Sequence, residues 1–338
     1  MTKGIRYFLA GSATVVVLGL GTGLIAYYNG GISANAVKQA NADLVYIPAD
    51  AGAVAYADVR AIMTSEFRQK LRQVLPTGEE LEKFRTELGV DLERDIDSVS
   101  AAYLGGGAPS ASQGVVIVHG RFDTGRIEAM ATQHGATVED YKGRRLLSLK
   151  TNDMAEQGEP VAATVAFLEG GALALGEASA VKKAIDTVVS GNDVRKNAEL
   201  MNLINEVSST GNAWVVGQVD AMEIGLPTEI KDHLPAVSMF AASVHVNGGL
   251  AGMLRAEARD EQAAEQLRDV VKGALAAGKL MTGQNAKLDA MLNSMNITGS
   301  GKTVSVRFTL PAELLEMLNG VAAAHQLGTG GAGSPIHK

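Results

Sequence analysis

The sequence predicts an α+β protein in which an N-terminal transmembrane helix is followed by two similar α+β halves with mostly antiparallel sheets. Three observations point there. Residues 7–28, YFLAGSATVVVLGLGTGLIAYY, carry no charged side chain, and a run of that length spans a bilayer core as a helix. Short alternating apolar and polar segments recur along the rest of the chain, separated by Gly-rich turns and amphipathic stretches. The stretch Ala53–Ala61 can also be laid on Ala213–Ala221. Strands linked through hairpins, with helices interspersed, favour an antiparallel sheet covered on one face.

Lys3 and Arg6 precede the apolar run and the next charge is Lys38, so the positive-inside rule keeps the N-terminus in the cytoplasm and exports the bulk. Tyr7, Tyr27 and Tyr28 stand where interfacial aromatics are expected. A cleaved signal peptide is the competing reading, with Ala34-Asn35-Ala36 as a small-x-small site. The 22 uncharged residues exceed a signal's apolar core of about 7–15 and favour a retained anchor. The expected location is the bacterial inner membrane, single-pass, with the C-terminal bulk periplasmic.

The expected organisation is an anchor over 1–28, a tether over 29–43, a first repeat over 44–195, a second over 196–323 and a mobile Gly-rich tail over 324–338. In the first repeat, Val54, Tyr56 and Val59 alternate as a strand, and Thr64 or Ser65 caps a helix through Leu71, Val74 and Leu75. A second helix carries Leu81, Phe84 and Leu88. Strands follow at 98–104 and 113–122, then a helix from Asp123 or Thr124, strands at 144–150 and 161–169, and a helix over 177–191. The second repeat lays Val237-Ser238 on Val99-Ser100 and Arg259-Asp260 on Phe122-Asp123. Its closing strand and helix, 304–321, mirror the stretch ALALGEASAVKKAIDTVV.

Bulk chemistry excludes several function classes. Apart from Lys3 and Arg6 the chain carries 28 basic and 37 acidic residues, a balance of −9, which disfavours nucleic acid as partner because phosphate neutralisation needs clustered cations. A single Trp and 4% aromatics give no stacking surface. With no cysteine there is no disulfide, thiolate metal site or cysteine nucleophile.

One stretch, Gly299-Ser300-Gly301-Lys302-Thr303, looks like the end of a phosphate-binding loop. The first glycine of that motif is replaced by Asn296, and a phosphate loop must leave a strand and open a helix. Here Leu288, Met291, Leu292 and Met295 recur at helical spacing before it, and Val304, Val306, Phe308 and Leu310 alternate after it. The reading is therefore a helix-to-strand turn, with no nucleotide. His119, His134, His233, His245, His325 and His337 form no zinc pattern. The acidic run from Glu79 to Asp97 reads as a solvated helical face, and its D-x-E-x-D at 91–95 lacks the glycine and closing glutamate of a calcium loop. Met281, Met291, Met295 and Met317 read as core. No catalytic, cofactor-binding or metal-ligating residue and no cofactor is assigned, although a Ser-His-Asp triad assembles across sequence and escapes motif inspection.

The opening PADAGAVAYADVRAI, residues 48–62, resembles the first strand of a family of bacterial membrane-anchored exported proteins of unknown function. That resemblance implies two related halves after an anchor and supplies no catalytic residue. The function expected is a non-catalytic, membrane-anchored interaction or assembly protein of the envelope, with a protein partner or self-association. The alternatives are an extracytoplasmic module for an apolar ligand and, third, an envelope hydrolase.

Overall fold

The computed structural model describes residues 41–66, 90–91, 94–105, 114–151, 161–219, 236–246, 249–281 and 286–311. The 7–28 run, the expected helix through Leu71, Val74 and Leu75, the second one with Leu81, Phe84 and Leu88, the tail and His233, His325 and His337 lie outside them. Among the described residues no helix is long and apolar enough to cross a membrane.

The protein is α+β, built on one twelve-stranded sheet in which every named pairing is antiparallel. The strands are β1 (Ala53–Ala57), β2 (Ile96–Tyr103), β3 (Gly114–Gly120), β4 (Thr137–Tyr141), β5 (Arg144–Thr151), β6 (Val161–Phe167), β7 (Ala172–Glu177), β8 (Ala213–Gln218), β9 (Val237–Val246), β10 (Gly249–Ala258), β11 (Asn296–Thr298) and β12 (Thr303–Pro311). Their order across the sheet is β11-β12-β10-β9-β8-β1-β2-β3-β7-β6-β5-β4. Among the described residues the helices are α1 (Val59–Thr64), α2 (Thr124–Gln133), α3 (Ala178–Ser190), α4 (Ala198–Val207), α5 (Glu261–Met281) and α6 (Ala286–Ser294).

The largest core lies on one sheet face. There α3 buries Ala180, Val181, Ala184 and Ile185, and α4 buries Leu200, Leu203, Ile204 and Val207. They meet Val54, Tyr56, Val115, Ile117, Ala174, Trp214, Val216 and Met253. Their spacing of three and four residues is the apolar stripe that seats a helix on a sheet. The opposite face is covered as well. Ile127 of α2 packs with Val116, Val118, Leu173 and Leu175, and Ala263, Ala264 and Leu267 of α5 pack with Ala258 and Val304. The sheet is therefore not covered on one face only, because a sheet twelve strands wide presents apolar residues at both parities of its alternation, as Leu146 and Leu147 show by being 0% and 1% exposed.

Local chemistry explains the element starts. Asp58 caps α1 by accepting from Ala61 N, so Val59 opens a helix instead of ending the strand. Asp123 accepts from Arg126 N, and Asp260 from Ala263 N, at equivalent strand-to-helix junctions. Side-chain caps of this kind satisfy the orphan amides of a first turn. Glycines admit two bulky neighbours: a Cβ on Gly252 would lie 2.3 Å from the Phe308 ring, and one on Gly217 would lie 2.8 Å from the Phe240 ring.

Candidate functional site

The chemistry-bearing side chains closest to a catalytic grouping are Asp43, Ser100 and His119. Strand alternation puts Ser98 and Ser100 of β2 on the face of the large core, and the ladder sets His119 of β3 opposite Ser98. Asp43 precedes a 3₁₀ turn, Leu44–Tyr46, which presses Leu44 and Ile47 into that core. Its carboxylate, on a residue 0% exposed, receives a hydrogen bond from Ser100 Oγ through Oδ2. Its Oδ1 lies 2.5 Å from His119 Nε2, a close contact whose direction departs from hydrogen-bond geometry. Tyr56, also buried, brings its hydroxyl beside Ser98, and burial, with Asp58 and Asp43 nearby, raises its ionisation far above the ordinary range.

The arrangement does not make a hydrolase triad. In a triad the imidazole stands between nucleophile and carboxylate, so that it can take the hydroxyl proton. Here the carboxylate stands between Ser100 and His119, so the imidazole does not face the serine. Ser100 is 2% exposed, which denies access to a substrate. The group instead pins the Leu44–Ile47 segment to the sheet. That segment is then sewn in by two backbone bonds, Val194 N to Ile47 O at 2.8 Å and Ala49 N to Asn192 O at 3.1 Å, and by the Asn197 side chain, whose Nδ2 donates to Ala49 O at 3.1 Å. Gly52 ties β2 to β8, donating to Tyr103 O and accepting from Gln218 N, both at 2.8 Å.

The sequence reading missed Asp43, which stands last in the expected tether, and gave Ser100 no role. Only a polar residue at the edge of an apolar run could have pointed to Asp43, and the apolar contacts that bury it are not local. His119 does sit on a sheet face in an apolar strand, with Nε2 making no hydrogen bond, and His245 is held below its ordinary value by burial, with Nδ1 also without one. No group of three possible metal ligands occurs among the described residues. Within the former calcium candidate, Asp95 Oδ2 accepts from Asp91 N at 2.8 Å and closes a turn.

The GSGKT stretch is a turn, but between two strands: the three-residue β11 intervenes between α6 and the turn. Gly299 and Gly301 adopt φ values of 114° and 55°, conformations that favour glycine. The turn presents carbonyls: Ala258 N donates to Lys302 O, and Arg268 Nη1 to Gly301 O and Thr303 O. A phosphate needs converging N–H groups.

A shallow open depression of about 440 Å³ lies between the Pro48-Ala49-Asp50 turn and the end of α3. Its carboxylates are engaged, Asp50 by Lys183 at 2.9 Å and Asp186 by Lys142 at 2.6 Å and the Tyr141 hydroxyl. These pairs brace α3 against the first residues of the domain and against the β4–β5 edge. Comparison of the whole chain with protein-family models, with characterised proteins and with solved structures returns no match.

Proposed function

We propose that this is a non-catalytic, membrane-anchored extracytoplasmic protein of a bacterial envelope, acting by binding a protein partner or by building an assembly. The observation that carries the reading is the burial of Asp43 between Ser100 and His119. The Ser, His and Asp side chains that meet are used to lock the segment after Asp43 into the core. Fourteen residues lie between Tyr28 and Asp43, and an extended chain covers at most about 3.5 Å per residue, which holds the sheet within about 50 Å of the membrane. A short tether of that kind suits a platform working close to the bilayer. The test is chemical crosslinking followed by pull-down from detergent-solubilised membranes. A specific partner or a defined higher-order species is expected, and a strictly monomeric protein without partners would sink the reading.

The same proposal holds that the ectodomain is a tandem duplication. The register of the central pair supports it: laying Ala53 on Ala213 makes the ladder pair Ala53–Gly217 equivalent to Ala213–Ala57, and Val54–Val216 equivalent to Trp214–Tyr56. A two-fold axis between Ala55 and Val215 generates that register, since equivalent strands then pair with themselves. Outward from it, β2, β3 and β7 stand in the order of β9, β10 and β12. The ladder amends the alignment of the next strand. Ala101 faces Ala55, and Ala242 faces Val215, so Val99 corresponds to Phe240 rather than to Val237. Strands β4 and β5 have no counterpart among the described residues of the second half.

A further inference from the structure

The two halves treat the same strip of sheet differently. Carried outward from the central pair, the ladder sets Ala55, Ala101, Val116 and Leu175 in one row and Val215, Ala242, Leu254 and Val306 in its counterpart. One residue to either side, on the face of the large core, Met253, Arg255, Ser305 and Arg307 stand where the first half has Val115, Ile117, Ala174 and Gly176. In the first half this strip seats α3, with Val115, Ile117 and Ala174 in the core beneath it. In the second, only Met253 of the four stays in that core, and Ala251, Arg307 and Thr309 are exposed.

The two arginines are in different states. Arg255 is held by Glu206, which reaches down from α4, and by Glu257 at 3.7 Å. Arg307 stands diagonally across the ladder from it, opposite Met253, and among the described residues it meets no carboxylate. A guanidinium fork matches a carboxylate through two parallel hydrogen bonds, and arginine set in apolar surroundings is a common anchor of protein interfaces. The strip also has the width of a helix. Helix α4 rests on β8 and β9, which leaves β10 and β12, at about 4.8 Å apiece, for a helix about 10 Å across.

Resting on the duplication and the protein-binding role just proposed, we infer that this strip is the docking site for a helix of a partner protein. That helix lays apolar side chains over Ala251 and Met253 and sets an Asp or Glu against Arg307. Charge chooses the occupant, and Glu206 of α4 on Arg255 shows the same pairing made within the chain.

The probe is a synthetic amphipathic helix with an apolar stripe of Leu and Ala flanked by Glu, beside a control with Lys at every Glu. Binding of each labelled peptide to the full chain in detergent is followed by fluorescence anisotropy. The Glu peptide is expected to bind and the Lys peptide not to. Arg307→Glu should weaken binding about tenfold or more, and Arg307→Lys less, because the charge remains while the fork is lost. Arg307 is exposed, so neither change reaches the core, and unchanged Trp214 fluorescence verifies this. Equal binding of both peptides, equal binding by the parent and Arg307→Glu, or no binding would overturn the assignment. So would a dimer, or attachment to anionic phosphatidylglycerol vesicles, that Arg307→Glu abolishes, since the face would then belong to a second copy or to lipid. A partner crosslinked in membranes and kept by the Arg307→Glu protein would overturn this strip as its site and leave the binding role intact. A chain with neither partner nor self-association would sink that role itself.

Discussion

Removing the Asp43 charge leaves His119 and Ser100 facing a site that no water reaches. Asp43→Asn keeps the shape but replaces one carboxylate oxygen by an amide donor, so a loss of about 1–3 kcal/mol is expected, as for leaving buried polar groups without their partner. Ser100→Ala removes one donor to a charged acceptor and should cost about 2 kcal/mol. Urea unfolding measures both, and an Asp43→Asn protein as stable as its parent would refute the locking role. His245 sets the pH dependence. Burial holds its folded value below the ordinary 6.5, so the unfolded chain binds a proton first. Stability is therefore complete above pH 6.5 and falls as pH drops through the lowered folded value. The Asp193 carboxyl is held low by its hydrogen bond with Arg195, which adds a further loss once pH falls below 3.8. His245→Gln should flatten the first decline and leave the second, as followed by thermal melts across pH.

At the scale of elements, glycines opposite aromatic rings supply the sharpest test. Gly252 leaves room for Phe308, so Gly252→Val should overpack the β10–β12 ladder and cost about 1–3 kcal/mol. The companion Phe308→Leu should recover part of that loss in a double-mutant cycle, and strict additivity would show that the two do not touch. Legibility in the sequence followed locality. The caps Asp123 and Asp260 stand directly before periodic helices, and the strands around Val116, Leu146 and Val165 show as short apolar runs between turn residues. Val59 misled because Asp58 recruits it into α1 through a side-chain cap that apolar alternation hides. Helix α4 went unread although Asn197 caps it and Leu200, Leu203, Ile204 and Val207 keep its spacing. Strand β4 escaped because as an edge strand it is exposed nearly throughout and has no alternation to display. The Asp43 grouping was not readable at all, since Ser100 is 57 residues away and only the folded sheet brings it close.

Over the whole molecule, the question is whether the two halves hold together as one folding unit. The sheet passes without interruption through β1 and β8, and the main core joins residues from both sides, Ile117 and Val181 with Trp214, Val216 and Met253. Tyr56 and Trp214 stack across the junction with ring centroids 5.9 Å apart. Trp214 is the single tryptophan, so its fluorescence reports this seam alone, while far-UV circular dichroism averages over every helix and strand. A shared core predicts that the two signals change together in urea, even though domains of this size often populate intermediates. Tyr56→Ala removes a buried ring from the first half, should cost about 3 kcal/mol, and should shift both transitions by the same amount. If the fluorescence transition alone moved, or preceded the dichroism in the parent protein, the halves would be independent domains resting against each other. The lock at Asp43 would then steady only the half that the tether enters.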